Sequence, residues 1–416
     1  MDEISHFLDL LSKLGPDVMS RLKSAGEVTV VHHDDADGIT SAAILEWLLD
    51  ENNIDSKLIC LEKTFPQILS RLESEEGVLV YLDLGSPHAK LISKLNRGRD
   101  FIMILDHHDP EKVDDPKILN INPELYGISG ESEASASAVV YALVRAIIGE
   151  AKGELAKLAL IGAAEIPGEI AGLNELALRD ALSAGLVKRR ALRRRIDYAV
   201  VEGGRLISRS ELSKRLTILG SVGYYRNGPQ MALKACLEGF SPAISSLYKK
   251  LEEERKRLYR EALTRLREGG FHTTTNVQWF HLGDLFLNVG SKVLGTFASY
   301  VMHRGMSRRD KYLVGFMHLN PKIPGLGELE GEYSKVSVRT PDQLAAMIRS
   351  KRMPSSAEVL SHVCSLLGGF GDGHDYAASG IIPRGREREL IRRMNRRVEQ
   401  YAAKSKKGRT SLDEFF

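Results

Sequence analysis

Short apolar runs alternate with stretches of helical periodicity through the first third of the chain. An amphipathic helix is predicted at the start, where Ile4, Phe7, Leu8 and Leu11 share one face. Buried strands are then predicted by the runs EVTVVHH, SKLICLE, GVLVYLDLG and DFIMILDHH. Helices are predicted between them by GITSAAILEWLLDEN, FPQILSRLES and SPHAKLISKLN. This alternation predicts an α/β fold built on a parallel sheet with helices on both faces.

A long helix is predicted from Leu247 to Arg267, because this segment contains strong helix formers and neither Gly nor Pro. Gly269 and Gly270 end it, and a new pattern of strands and helices follows, which indicates a domain boundary near residue 268. The predicted organisation is an α/β domain over residues 1–245, a connector helix over 246–268, a smaller α/β domain over 269–400 and a flexible tail over 401–416.

Composition narrows the class of protein. The chain has 416 residues, of which 43% are hydrophobic and 27% charged, as in soluble globular proteins. No uncharged apolar run approaches the ~18 residues of a membrane helix, and the acidic N-terminus is unlike a secretory signal. The cysteines Cys60, Cys236 and Cys364 form no CxxC pair, which disfavours a disulfide framework and a cysteine zinc site. We therefore expect a cytoplasmic protein.

Histidine and carboxylate residues cluster where three of the predicted strands end. The clusters are His33, Asp35 and Asp37 after the first strand, Asp83 after a second, and Asp106, His107 and His108 after a third. The carboxyl ends of neighbouring parallel strands meet at one edge of a sheet, where so many ionisable groups need a bound cation. Mixed carboxylate and imidazole ligands suit manganese, magnesium or zinc, and the lack of a thiolate favours manganese.

Two metal ions close together would require a shared carboxylate, and Asp83 is the candidate for that bridge. The alternative is that each cluster is an isolated loop, with solvated acids and with histidines that cap helices.

The sequence resembles the DHH phosphoesterase family. HHDDADGITSAA, LDLGS and LDHHDP are similar to the first three motifs of that family, and the third contains the Asp-His-His triplet that gives the family its name. In the second half, GGFGDGHDYAASG and KVSVRT are similar to motifs of the DHH-associated domain, which binds nucleic acid. Within the family, the chain most resembles RecJ-like archaeal exonucleases.

The resemblance implies roles for individual residues. The implied metal ligands are His33, Asp35, Asp37, Asp83 and His107. Asp106 is expected to orient His107 through the imidazole nitrogen that faces away from the metal, and His108 is expected to face the scissile phosphate. The expected substrate contacts in the second half are Arg339, Gly371, Gly373 and His374.

One motif departs from the family pattern. The fourth motif of the family supplies a further aspartate ligand after a helix, but the matching stretch here, Gly162–Glu169, contains no aspartate. Glu165 is expected to take its place, and Glu169 is the alternative. A weakened metal site is the other possible result of this change.

Basic residues are concentrated in two runs, although the net charge of the chain is only +3. One basic run contains Lys188, Arg189, Arg190, Arg193, Arg194 and Arg195, and a second extends from Arg384 to Arg397. Such runs are usually solvated helix faces, and the second is also a candidate for contacts with phosphates. At the C-terminus, Leu412, Phe415 and Phe416 resemble the peptide that binds the sliding clamp (PCNA), with Arg409 where that peptide has glutamine. Folding of this tip onto its own domain is the alternative.

The sequence as a whole predicts a RecJ-like exonuclease that uses two Mn²⁺ ions, or Mg²⁺ in their place, to hydrolyse single-stranded DNA or RNA, with DNA favoured, in replication or repair. Two alternatives belong to other classes. One is a catalytically weak scaffold of a replicative helicase complex, and the other is a phosphodiesterase that acts on oligonucleotides or cyclic dinucleotides.

Overall fold

The chain forms two compact units in the computed structural model, which describes residues 2–191 and 196–413. The first unit extends to Glu252 and includes Pro324–Leu326, and the second contains Glu253–Ile323 and the residues from Gly327 onward. The units divide inside a long helix, Pro242–Gly269. Among the described residues, no helix has the length and apolar character needed to cross a membrane.

A parallel sheet of five strands forms the centre of the first unit. Its strands are Val28–His33 (β1), Ser56–Leu61 (β2), Gly77–Leu82 (β3), Arg99–Leu105 (β4) and Ile118–Ile121 (β5). They are ordered β2-β1-β3-β4-β5, and every neighbouring pair is parallel. The parallel sheet predicted from the sequence is therefore confirmed. The strand order reverses between β1 and β3, which is where ligands bind in open α/β sheets.

The described part of the first unit contains ten α-helices, and the last of them continues into the second unit. Their bounds are Glu3–Ser24 (α1), Ala36–Glu51 (α2), Pro66–Leu72 (α3), Ala89–Leu95 (α4), Ala136–Ile148 (α5), Gly153–Gly162 (α6), Leu173–Ser183 (α7), Arg209–Thr217 (α8), Gly228–Glu238 (α9) and Pro242–Gly269 (α10). Helix α2 begins where Asp35 accepts hydrogen bonds from two backbone N–H groups, and α5 begins at the capping residue Ser135. Both helices pack against the sheet.

A second, antiparallel sheet in this unit was not predicted. It consists of Val187–Ala191 (β6), Ile196–Glu202 (β7) and Arg205–Ser208 (β8), in that order. The first basic run therefore begins on an edge strand, because Lys188, Arg189 and Arg190 belong to β6. The rest of that run, residues 193–195, lies outside the described residues.

The second unit contains a mixed sheet of six strands. The strands of the unit are His272–Thr273 (β9), Val277–His281 (β10), Tyr312–His318 (β11), Lys322–Ile323 (β12), Gly327–Glu328 (β13), Tyr333–Arg339 (β14), Phe370–Gly373 (β15) and Ala377–Pro383 (β16). The main sheet has the order β15-β16-β14-β11-β10-β9, while β12 pairs with β13 separately. Only the pair of β10 and β11 is parallel among the described strand pairs of this sheet.

Helices cover both faces of the six-stranded sheet. They are Lys292–His303 (α11), Asp342–Arg349 (α12), Ser356–Leu366 (α13) and Glu387–Asp413 (α14). Helix α11 packs on β11 and β14, whereas α12, α13 and α14 contribute to an apolar core that includes Leu344, Val359, Leu390 and Met394. The second unit is thus an α/β sheet structure with its own core.

Glu73, at the end of α3, is a carboxyl group buried away from the metal-ligand motifs. It is fully buried, and the Tyr81 hydroxyl donates a hydrogen bond to Glu73 Oε1 at 2.7 Å. Burial raises the pKa of Glu73 to about 7, although Tyr81 and Arg99 act in the opposite direction. Because its pKa in the folded state exceeds its ordinary value, protonated Glu73 stabilises the fold at low pH, and this contribution is lost as pH rises through about 7.

Replacing Glu73 with glutamine should therefore remove a pH-dependent part of the stability. Between pH 5 and 8 the free energy of unfolding of the wild type should fall relative to that of Glu73→Gln by on the order of 2–3 kcal/mol, because one pKa unit corresponds to about 1.4 kcal/mol. Urea unfolding across this pH range measures the difference. Glu76→Gln, a change at an exposed neighbour, serves as the control, and parallel pH profiles of all three proteins would contradict the prediction.

Candidate metal centre

The three predicted clusters emerge at the carboxyl edge of three adjacent strands. Strands β1, β3 and β4 are paired so that His32, Leu82 and Leu105 lie side by side. The residues that directly follow these three are His33, Asp83 and Asp106. They therefore lie at the same height along the strands, at the carboxyl edge of the sheet. Successive side chains of an extended strand point to opposite faces of the sheet. Because the apolar residues fix the register of the strands, they also determine which polar side chains at the strand ends lie close together.

A first group of possible ligands consists of His33, Asp35 and Asp83, whose ligand atoms lie within 4.8 Å of one another. His33 Nδ1 is 2.9 Å from Asp35 Oδ2 and 3.3 Å from Asp83 Oδ2. The other imidazole nitrogen of His33 is 3.3 Å from Asp34 Oδ1, so the ring lies between carboxylates on both sides. Burial by itself would lower the pKa of His33, but Asp35, Asp83 and Asp34 together raise it well above the usual range.

A second group consists of Asp83, His107 and His108, and it meets the same distance limit. His107 Nε2 is 3.4 Å from Asp83 Oδ1. On its opposite side, His107 Nδ1 donates a hydrogen bond to the Gly130 carbonyl at 2.7 Å. This bond assigns the proton of a neutral imidazole to Nδ1 and leaves the lone pair of Nε2 directed at the cluster. A Cβ at position 130 would lie 1.8 Å from the His107 carbonyl oxygen, so this close approach requires glycine.

Asp83 belongs to both groups, and each of its carboxylate oxygens faces a different one. Oδ2 faces His33, whereas Oδ1 faces His107. With Nδ1 of His107 protonated, the Nε2 lone pair and the Asp83 oxygen are two acceptors only 3.4 Å apart, which requires a proton or a cation near both. Oδ1 is buried without a hydrogen-bond partner among the described residues. The donor set therefore fits a divalent cation.

The backbone at Asp83 is also unusual, because its φ of +60° lies in the left-handed region. Backbone strain of this kind is concentrated at functional sites, where surrounding contacts maintain it. Here the Asp83 N–H donates to the Leu105 carbonyl at 2.9 Å, which holds the turn against β4.

Asp106 orients His108 rather than His107, which corrects the role expected from the sequence. Its Oδ1 lies 2.7 Å from His108 Nδ1 and accepts hydrogen bonds from the backbone N–H groups of His107 and His108. Its Oδ2 accepts from the Ser86 N–H at 3.0 Å. Burial alone would raise the pKa of Asp106, but His108 and His107 lower it far below the usual value. The far nitrogen of His107 is occupied by the Gly130 carbonyl, so Asp106 has no access to it.

Asp37 lies next to the second group but is held by backbone donors. Its two oxygens accept from the Ala136 and Ser137 N–H groups at 2.9 Å each, at the N-terminus of α5. Asp37 Oδ2 is 3.8 Å from His107 Nε2. Burial, followed by repulsion from Asp83, raises the pKa of Asp37 to about 7. The structure thus brings all the predicted ligands of the first three motifs to one place.

Glu165 is connected to this site through Thr217, a residue that the sequence did not indicate. The Thr217 hydroxyl donates to Glu165 Oε1 at 2.6 Å and accepts from the Ala36 N–H at 3.0 Å. Ala36 lies between Asp35 and Asp37, so one hydroxyl separates Glu165 from the backbone of the ligand loop. Glu169 lies exposed in the loop that follows.

Arg339, one of the predicted substrate contacts, belongs to the second unit, where it is held by its neighbours. Its Nε donates to Ser299 Oγ at 2.8 Å, and its Nη1 donates to the Val338 carbonyl. Burial lowers the pKa of Arg339 to about 10. Gly295 on α11 makes room for this side chain, because a Cβ there would lie 2.5 Å from Arg339 Nη2.

The glycine-rich run, which was predicted to contact substrate, forms the edge strand β15. Gly371 pairs with Gly380 on β16, and Gly373 pairs with Ala378. A Cβ at Gly373, whose φ is +142°, would lie 2.5 Å from the Ala377 carbonyl oxygen. The His374 N–H donates to that same carbonyl, which closes a tight hairpin. Part of the reason for these glycines is therefore strand pairing.

The predicted clamp-binding residues lie at or beyond the end of the described chain. Leu412 falls in the last turn of α14, while Phe415 and Phe416 lie outside the described residues.

Residues 27–163 match the family model described as DHH family, N-terminal domain. An uncharacterized protein of Methanocaldococcus jannaschii is 29% identical over 174 residues, which are 40% of this chain and 39% of that protein. The match therefore spans about two fifths of that relative's length.

Two solved structures share the fold over most of this chain. RecJ of Thermus thermophilus in complex with Mn²⁺ has a TM-score of 0.64 at 19% identity, over 95% of this chain and 55% of that one. CDC45 of Entamoeba histolytica has a TM-score of 0.59 at 11% identity, over 92% of this chain and 98% of that one. Identities this low are evidence of fold alone. Residues 27–163 are therefore a DHH-family domain, within a chain that has a RecJ-like fold.

Proposed function

We propose that this protein is a metal-dependent exonuclease that hydrolyses phosphodiester bonds in single-stranded nucleic acid, with DNA favoured, during replication or repair. The observation that carries the proposal is Asp83, which lies between two ligand groups and faces each with a different oxygen. The match of residues 27–163 to the DHH family supports hydrolysis. The predicted domain over residues 1–245 would be catalytic, and the predicted domain over residues 269–400 would bind the substrate.

Two Mn²⁺ ions, with Mg²⁺ as the alternative, would be held by His33, Asp35, Asp37, Asp83, His107 and Glu165. RecJ structures from Thermus thermophilus contain Mn²⁺ in one case and Mg²⁺ in another, which supports divalent metal but does not favour either. When bound, such ions supply a hydroxide at neutral pH and neutralise charge on the phosphodiester.

The protein's own residues have separate tasks in this proposal. Asp83 keeps its carboxylate between the two groups, and Gly130 fixes the tautomer of His107. Asp106 holds His108 through a 2.7 Å contact, and the side chain of His108 is 28% exposed, so it can reach a phosphate oxygen from the solvent side. Arg339 and the hairpin around Gly371, Gly373 and His374 would contact the nucleic-acid substrate.

A catalytically weak scaffold of a replication complex is the second candidate. The shared fold with CDC45 and the replacement of the fourth-motif aspartate both favour it. A phosphodiesterase of short oligonucleotides or cyclic dinucleotides is a third candidate, which the length dependence of cleavage would distinguish.

The first test replaces the shared carboxylate. Asp83→Asn keeps the size of the side chain and tolerates the left-handed backbone, so the fold should persist while cleavage of end-labelled single-stranded DNA and RNA falls by at least about a hundredfold. Calorimetric titration with Mn²⁺ should show the loss of at least one site. Asp109→Asn, a change at an exposed neighbour, is the control. Cleavage by Asp83→Asn at close to the wild-type rate would refute the two-metal proposal.

The second test concerns the replacement of the fourth motif. Glu165→Gln should weaken Mn²⁺ affinity and slow cleavage by about tenfold or more, because losing a charged ligand or the partner that orients it has effects of this size. Glu169→Gln should behave as the wild type, since the Thr217 hydroxyl that contacts the ligand loop donates to Glu165. If both variants keep full affinity and rate, neither glutamate is a ligand and the centre is smaller than proposed.

The third test concerns the C-terminal peptide, through which we propose that the protein binds the sliding clamp (PCNA). Deletion of residues 409–416 should abolish clamp binding in calorimetry and leave single-strand cleavage unchanged, since the aromatic pair would supply most of the affinity. Unchanged clamp affinity would refute the tether. A large fall in melting temperature would instead indicate that the tip folds onto its own domain.

A further inference from the structure

Seven arginines lie in the fourteen positions from Arg384 to Arg397, at the start of α14 and just before it. Four of them form ion pairs: Arg384 with Glu332 at 3.4 Å, Arg386 with Glu389 at 2.6 Å, Arg393 with Glu389 at 2.7 Å and Arg397 with Glu358 at 3.1 Å. These four arginines are adequately explained as parts of a solvated, charged surface.

The other three, Arg388, Arg392 and Arg396, have no ion pair within the part of the chain that the structure describes, and all three are exposed. They are spaced four residues apart, so their side chains follow one another along one face of the helix. Successive members are about 6 Å apart along the helix axis. We call these residues the arginine row.

The opposite face of α14 is anchored in the core of the second unit. Leu390, Ile391, Met394 and Val398 are buried there, so the helix cannot rotate to bury the arginine row. Three guanidinium groups are therefore kept in line at the surface of a fixed helix. One acidic side chain, Glu399, follows the row, and its Oε1 accepts a hydrogen bond from Asn395 at 2.8 Å. The positive charge of the row thus exceeds the local negative charge.

An aromatic pair borders the same helix. His272 is exposed and stacks on Trp279, with ring centroids 4.4 Å apart and an angle of 29° between the planes. Trp279 packs on the core that contains the buried face of α14. Asn395 Oδ1 accepts from the Asn276 N–H at 3.0 Å, which places that side of α14 next to the start of β10. Arg388, two turns before Asn395, lies on the same side of the helix.

We propose that the arginine row and the His272–Trp279 pair form a second contact surface for single-stranded nucleic acid, apart from the residues assigned above to the reaction. An arginine side chain can donate two hydrogen bonds to one phosphate. Proteins that bind single strands combine cationic side chains, which contact the phosphates, with aromatic side chains, on which the bases stack. The identity of the polyanion rests on the proposed function, because charge alone would also suit an acidic protein.

The test measures binding without catalysis. Fluorescence anisotropy with labelled oligothymidylate, about 30 nucleotides long, would be recorded in EDTA at several salt concentrations between about 50 and 200 mM. The triple variant R388Q/R392Q/R396Q should lose at least about tenfold in affinity. Its salt dependence should become less steep by about 2 units of log K against log salt, since each phosphate contact on a single strand contributes about 0.7. His272→Ala should lose less, without a change of slope.

The matched control is R384Q/R386Q/R393Q, which removes the same formal charge from the ion-paired arginines of this segment. Its affinity should stay within about twofold of the wild type. Equal losses of affinity in both triple variants would overturn the proposal, because they would show that binding depends only on total charge. An unchanged affinity of R388Q/R392Q/R396Q would show that the arginine row does not contact the strand. Polyglutamate that binds as tightly as oligothymidylate, with the same dependence on the row, would also overturn it in favour of an acidic protein.

The outcome is separable from that of the proposed nuclease activity. If the wild type binds the strand through the arginine row but cleaves nothing, the inference stands and the enzyme proposal fails. If the wild type cleaves single strands while R388Q/R392Q/R396Q binds them as tightly as the wild type, the enzyme proposal stands and the inference about the arginine row fails.

Discussion

Several ionisable groups must be buried side by side at the carboxyl edge of the first sheet, and the local structure follows from this requirement. A buried carboxylate or imidazole is costly unless hydrogen bonds or opposite charges compensate it. Each group here has such compensation from a different element: Asp35 caps α2, Asp37 accepts from the start of α5, and Asp106 accepts from Ser86. Asp83 differs, because one of its oxygens has no hydrogen-bond partner among the described residues. This oxygen faces His107 Nε2 at 3.4 Å, so it is well placed to meet a cation.

Fold similarity and site chemistry bear on different questions for this chain. RecJ and CDC45 both share the fold at low identity, so the fold by itself does not distinguish a nuclease from another kind of protein. The distinction depends on individual side chains. The first three motifs are complete and converge, whereas the fourth contains Glu165, whose carboxylate bonds to Thr217. The strongest argument for catalysis and the strongest argument against it thus come from neighbouring parts of one site.

The sequence predicted the parallel sheet and the convergence of His33, Asp83 and His107 because strand periodicity and parallel pairing leave little freedom at the strand ends. It could not predict the partners that come from distant segments. Gly130 fixes His107 from 23 residues away, and Thr217 contacts Ala36 from 181 residues away, and neither has a local signature. Strand β6 was missed because its basic residues lack the apolar alternation of a strand. Strand β15 was not predicted because glycine usually weakens strands, whereas here the close approach of β16 requires glycine at position 373.

The left-handed backbone at Asp83 restricts how this position can change in evolution. Most other residues at this position would strain the turn and destabilise the edge of the sheet, whereas asparagine and glycine adopt a left-handed conformation readily. Asparagine would preserve the shape of the turn and remove the charge. A descendant of this chain with asparagine at position 83 would thus keep the fold and the turn but lose the carboxylate that the two ligand groups share.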